Sequence, residues 1–263
     1  MNYRCCEPII DMSYSIERYL DICQEYVGEE NMLYFVFGVS FIISLLFYLV
    51  WKLVAGGKVK RRGILFVGLS GAGKTYLLSK ILTGQVIETV TSLKENQATY
   101  ASEKGVLNII DIPGQEAIRQ KFFDQFKDTA KGIIFLIDSE SFSKDLKDVA
   151  EYLFTILTDQ NVLKFVPPLL IACNKQDLLT SKSKKVIQDH LEKELNTVRK
   201  TRSAALSSID GEEATVHLGV KGKPFEFSHL GKLKVDFIEC NAKGDSENES
   251  RLDELLLWLN RQA

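Results

Sequence analysis

The sequence predicts an α/β fold, a mostly parallel, doubly wound sheet, preceded by one N-terminal membrane-spanning helix. Three observations carry this expectation. From residue 63 onward, short apolar runs alternate with segments of helical periodicity. The runs are apolar at nearly every position, as in Gly132-Ile133-Ile134-Phe135-Leu136-Ile137, which a sheet covered on both faces requires. Ahead of them, Met32 to Trp51 form twenty consecutive residues without a charge. The 263 residues are 45% apolar and 26% charged with a net charge of -2, an ordinary globular composition that suffices for one to two domains.

Residues 1–31 are short, acidic and weakly patterned, and no function is read from them. The segment 32–54 is expected to cross a bilayer, since twenty helical residues rise about 30 Å, the thickness of the hydrocarbon core. A cleaved signal peptide would need a basic leader and a shorter apolar stretch. A buried globular helix would run shorter and keep a polar side. The flanks set the orientation: Lys52, Lys58, Lys60, Arg61 and Arg62 follow the segment, whereas Glu7, Asp11, Glu17, Asp21, Glu25, Glu29 and Glu30 outweigh Arg4 and Arg18 before it. The excess of basic residues belongs on the cytosolic side, so the N-terminus lies across the membrane and the rest is cytosolic. Residues 55–62, with Ala55-Gly56-Gly57 and the basic run, form a short linker, and 63–263 form the cytosolic domain.

Within that domain strands are expected at 63–67, 98–102, 105–111, 132–138, 168–173 and 234–239. Helices are expected at 74–83, 116–127, 143–158, 184–202 and 249–261. The short gap between 98–102 and 105–111 implies one antiparallel hairpin at an edge. After the first strand comes Gly68-Leu69-Ser70-Gly71-Ala72-Gly73-Lys74-Thr75, and Tyr76 opens the helix behind it. This is a phosphate cradle. Its glycines let backbone N–H groups converge on phosphate oxygens, Lys74 reaches the outer phosphates, and the Thr75 hydroxyl is a Mg²⁺ ligand.

The strand 105–111 delivers Asp111 to its carboxyl end, where a carboxylate holds Mg²⁺ through water. In Asp111-Ile112-Pro113-Gly114-Gln115, Pro113 has no N–H, so Gly114 is the donor for a γ-phosphate and Gln115 stands where it can orient an attacking water. The strand 168–173 ends in Asn174-Lys175-Gln176-Asp177. An ionised carboxylate only accepts hydrogen bonds, so Asp177 suits the two N–H donors of a guanine edge, which adenine does not offer. Lys175 would pack its stem on the ring, and Asn174 would tie this loop to the cradle.

The insertion, 180–233, begins with a helix whose Val186, Ile187, Leu191 and Leu195 share one face. Seven Lys or Arg lie in 181–204. That face is expected to pack on the sheet with the charges solvated; a basic surface toward lipid head groups or ribosomal RNA is the alternative. The second half, Ser207 to Gly231, reads as a partly mobile segment. Cys173 and Cys240 fall in strands and are expected to be buried thiols, whereas Cys5, Cys6 and Cys23 lie on the far side of the membrane. His190, His217 and His229 show no ligand spacing. Asn2 stands where myristoylation needs Gly, and the C-terminal tail carries no prenylation cysteine.

Together with Cys240-Asn241-Ala242-Lys243-Gly244, these motifs resemble the guanine-nucleotide site of the small Ras-like GTPases, whose fold belongs to the P-loop NTPases. The resemblance implies GTP or GDP with Mg²⁺ as ligands, and an Ala242 N–H on the guanine carbonyl, with Asn241 where the family has Ser. It also implies a switch at Thr89, Val90, Thr91 and Ser92, in which Thr91, or else Thr89, closes on Mg²⁺. Within that superfamily the anchor, Asp111-Ile112-Pro113-Gly114-Gln115-Glu116, and the charged segment with Leu191-Glu192-Lys193-Glu194-Leu195-Asn196-Thr197 and Arg202-Ser203-Ala204-Ala205 most resemble the β subunits of the signal recognition particle receptor. Their properties imply a GTP-dependent hold on the N-terminal domain of the receptor α subunit at the endoplasmic reticulum membrane. The particle, the ribosome and the translocon are engaged indirectly, without sequence-specific nucleic-acid binding. That family commonly carries His in place of Gln115, so the resemblance leaves hydrolysis open. Two other readings stand beside it. A trafficking GTPase of the Arf-like kind is opposed by the permanent anchor, since a spanning helix does not cycle on and off a membrane. A nucleotide-locked scaffold would hydrolyse nothing.

Overall fold

The computed structural model describes residues 31–55, 61–85, 92, 94–102, 104–210, 218–220, 222–243 and 251–263. The chain divides into two units, residues 1–58 and 59–263. In the first, Met32–Ala55 form helix α1. Its 24 residues rise about 36 Å. The stretch Tyr34–Lys52 has a mean hydropathy of 2.1 and is not buried by the described residues, so α1 is long and apolar enough to cross a membrane.

In the second unit the sheet contains β1 (Gly63–Gly68), β2 (Asn96–Ser102), β3 (Gly105–Asp111), β4 (Ala130–Asp138), β5 (Leu169–Asn174) and β6 (Val235–Glu239). Their order across the sheet is β2-β3-β1-β4-β5-β6. All neighbours are parallel except β2 and β3, which form the expected antiparallel hairpin at one edge. The helices are α2 (Lys74–Thr83), α3 (Glu116–Phe126), α4 (Phe142–Leu157), α5 (Gln160–Phe165), α6 (Lys184–Asp210) and α7 (Asp253–Gln262).

Period-two alternation along the strands splits the core into two layers. Leu65, Val67, Ile133, Phe135 and Ile171 face α4 and α6, meeting Leu153, Ile156, Ile187 and Leu191. Ile64, Phe66, Ile134, Leu136 and Leu170 face α2 and α7, meeting Leu77, Leu255, Trp258 and Leu259. Because both faces are covered, the central strands contain almost no polar residue until their carboxyl ends.

The differences from the sequence expectations have local causes. Helix α6 runs to Asp210 instead of 202, because Ser203 to Asp210 contains no Gly or Pro and the first breaker is Gly211. The segment read as partly mobile therefore starts helical, and its described remainder is pinned. Leu218, Phe225 and Phe227 are buried, and Arg199 donates to the carbonyls of Leu218 and Lys223 at 2.9 and 2.8 Å. Helix α5 was hidden by its length of six residues; its start is fixed by Asp159, whose side chain accepts from the N–H groups of Asn161 and Val162. Helix α7 starts at Asp253, four residues later than 249, and residues 244–250 lie outside the described ones.

Candidate functional site

In a parallel sheet the carboxyl ends of the strands share one edge, and the loops leaving them meet there. Four such loops, following β1, β3, β5 and β6, wall a cavity of about 440 Å³. Its lining includes Ser70, Gly71, Gly73, Lys74, Thr75 and Tyr76 from the first loop, Asp111, Pro113 and Gly114 from the second, Asn174, Lys175, Asp177 and Leu178 from the third, and Ala242 and Lys243 from the fourth, with Ser92 beside them.

The first loop turns through Gly73, whose φ of 88° is left-handed and whose place a Cβ would carry to within 2.6 Å of the Asn174 Nδ2. Lys74 opens α2 and is only 6% exposed. Its ammonium donates to the carbonyls of Gly68 and Leu69 at 3.0 and 2.8 Å. Burial, aided by Arg119, lowers its pKa to about 8 against the pull of Asp111. Gly68, Leu69 and Ala72 shape the loop through their backbone and do not line the cavity.

Asp111 is fully buried at the end of β3. Its Oδ2 accepts from the Thr75 hydroxyl at 2.5 Å and from Asn96 Nδ2 at 3.3 Å. Thr75 spends its one hydrogen there, so the 3.1 Å bond with Ser92 is donated by Ser92. The other oxygen, Oδ1, is buried without a partner among the described residues. Burial raises the Asp111 pKa against the opposing Thr75 and Asn96 hydrogen bonds and the Lys74 charge. An orphaned buried acceptor beside a threonine hydroxyl suits a hydrated divalent cation, so Thr75 and Asp111 fit the Mg²⁺ set. Of the remaining switch residues, Thr89, Val90 and Thr91 lie outside the described residues.

Gly114 lies against the first loop so closely that a Cβ would fall 2.5 Å from both Ser70 N and Lys74 Nζ. Gln115 follows as the N-cap of α3 but is exposed and does not line the cavity.

The third loop is braced from three sides. Asn174 Nδ2 donates to Ala72 O at 2.9 Å, tying it to the first loop. Lys175, with a φ of 63°, places its ammonium 2.7 Å from Asp138 at the end of β4. Gln176 Nε2 donates to Ser139 Oγ and Lys182 O, and its backbone N–H to Cys240 O. Asp177 is exposed on the cavity wall. In the fourth loop Ala242 is buried, and Asn241 Oδ1 accepts from the backbone of Arg251 at 2.5 Å. Burial pushes the neighbouring Cys240 thiol up to about 12.

The structure thus brings residues from all four motifs to one cavity, Gln115 excepted, and adds several that the motifs did not name: Asn96, Asp138, Ser139 and the bracing role of Gln176. Asp138 and Ser139 were findable. They are the first polar residues after the apolar β4 run, at the same sheet edge as the other loops.

The family model for the signal recognition particle receptor beta subunit matches residues 59–235. The chain belongs to that family. A rat relative, signal recognition particle receptor subunit beta, is 42% identical over 255 residues, covering 95% of this chain and 94% of its own. The structure of the mammalian signal recognition particle receptor includes a chain that is 46% identical, with a TM-score of 0.67, covering 77% of this chain and all of that one. The GDP form of the Chaetomium thermophilum receptor β subunit is 26% identical with a TM-score of 0.59, covering 78% of this chain and 98% of that one. The fold is accordingly that of a small GTPase of the receptor β-subunit family.

Proposed function

We propose that this chain is the GTP-binding, membrane-anchored subunit of a signal recognition particle receptor, holding the N-terminal domain of the α subunit at the endoplasmic reticulum membrane in a GTP-dependent way. The observation that carries the reading is the convergence of Lys74, Thr75, Asp111, Asn174, Lys175, Asp177 and Ala242 on one cavity. In this reading Gly68 to Tyr76 and Gly114 hold the phosphates, and the Lys74 ammonium, already largely desolvated, meets their charge with little further loss of water. Asp177 accepts the guanine N–H pair, Lys175 covers the ring face, and Ala242 donates to the carbonyl. Thr75, Asp111 and Thr91, with Thr89 as the alternative, hold the metal, Asp111 through water. Mg²⁺, when bound, neutralises phosphate charge. The switch at Thr89, Val90, Thr91 and Ser92 then closes on the γ-phosphate, and a partner that binds the closed form shifts the population toward it. The helix α1 spans the membrane with residues 1–31 lumenal and the domain cytosolic.

The test is retention of the α-subunit N-terminal domain by the reconstituted full chain. Retention is expected with GTP and Mg²⁺ and lost with GDP; equal retention without nucleotide contradicts the reading. One observation favours a second reading, the non-hydrolysing scaffold: Gln115 is exposed outside the cavity wall. Single-turnover hydrolysis with and without the partner separates the two, since the scaffold stays at background in both.

A further inference from the structure

The edge of the sheet opposite the cavity carries more exposed basic side chains than free acidic ones. Because β1, β3, β4, β5 and β6 are parallel, the residues that feed these strands gather at their amino ends. Arg61 and Arg62 precede β1, Lys104 precedes β3, Lys164 lies in α5 just before β5, and Lys232 and Lys234 precede β6. Five of the six are exposed, and Arg61 lies over the Phe165 ring, 3.2 Å from its centroid. None forms an ion pair with a described residue. Most acids on this edge are already engaged: Asp124 and Asp159 with Lys127, and Asp128 with Asn161. Asp236 alone stands beside the lysines without a described partner. Among them Leu163 exposes about half its surface, at 52%.

Cations that form no ion pair among the described residues, with an exposed leucine next to Lys164, match an anionic, apolar-backed surface. The chain itself points to which one. Only residues 56–60 separate α1 from Arg61, a chain length that spans at most about 20 Å, and the basic run includes Lys58 and Lys60. We propose that this strand-entry rim is a docking surface for anionic phospholipid head groups, which hold the domain with its nucleotide cavity turned away from the bilayer. This rests on the spanning reading of α1.

The experiment uses the full chain in nanodiscs of phosphatidylcholine alone or with phosphatidylserine, and compares lysine acetylation rates site by site. With the anionic lipid, Lys104, Lys164, Lys232 and Lys234 should label more slowly by about fivefold, the weight of one charge near such a surface. Lys144 and Lys182, at the cavity end of the domain, should not change, and high salt should abolish the protection. Lys164→Glu with Lys234→Glu should restore labelling at Lys104 and Lys232 while nucleotide affinity stays. Equal labelling in both discs overturns the rim while α1 stays embedded after an alkaline wash. Loss of the chain on that wash overturns the spanning reading and the rim with it. Protection that appears in neutral discs only when duplex RNA is added assigns the surface to nucleic acid and overturns the lipid proposal.

Discussion

Lys175 and Asp138 show how single side chains fix the site. Lys175 adopts a φ of 63°, unusual for a residue with a Cβ, and its ion pair with Asp138 helps to hold it there. Burial works to raise the Asp138 pKa, but the Lys175 ammonium and the N–H groups of Glu140 and Ser141 outweigh it, leaving the carboxyl below its usual range. A depressed carboxyl contributes stability that is full above its unfolded value, about 4, and is lost as pH falls through the lower folded value. Urea midpoints should therefore fall more steeply with acid in the parent than in Asp138→Asn, below about pH 4. Gly73 and Gly71 offer a matched pair. Both have left-handed φ, 88° and 82°, but a Cβ at Gly73 meets Asn174 while one at Gly71 meets nothing. Gly71→Ala should cost about 1 kcal/mol of backbone strain, whereas Gly73→Ala should cost more and also speed nucleotide release, because it displaces the amide that bonds Ala72. Equal losses in urea midpoint and release rate would contradict this.

At the scale of elements, Asp159 joins two of them, α5 and α3. It caps α5 and pairs with Lys127, which also pairs with Asp124 of α3. Asp159→Ala should lower stability by about 1–2 kcal/mol, and Asp159→Asn, which keeps an acceptor for the cap, by less. Identical urea midpoints for the two variants would contradict the capping role. The sequence made the long elements legible because β1, β4 and β5 are uninterrupted apolar runs and α4 and α6 carry regular apolar faces. It hid α5, whose six residues are too few for a periodicity to register, and the expected end of α6 at 202 fell short, although no Gly or Pro precedes Gly211. The hairpin of β2 and β3 was legible from the two-residue gap that separates them.

At the scale of the molecule, legibility followed the motifs. Lys74, Asp111, Asn174 and Ala242 belong to four loops spread over 169 positions, and the parallel order of the strands brings those loops to one cavity. Asp138 and Ser139 were legible only as the polar end of the β4 run; that they brace Lys175 and Gln176, and that Asn96 bonds Asp111, depends on neighbours that only the strand order supplies. Gln115 was legible as a motif residue, yet its side of the helix start faces outward, which spacing alone does not reveal.

The central claim, one guanine nucleotide held jointly by the four loops, is tested most directly by exchanging the base preference of the chain. Asp177→Asn replaces a charged acceptor with an amide that offers a donor to the altered edge of xanthine. Competition binding should show GTP weakened by roughly a hundredfold and xanthosine triphosphate strengthened. Unchanged selectivity, with the variant folded and the phosphate loop intact, would contradict the account.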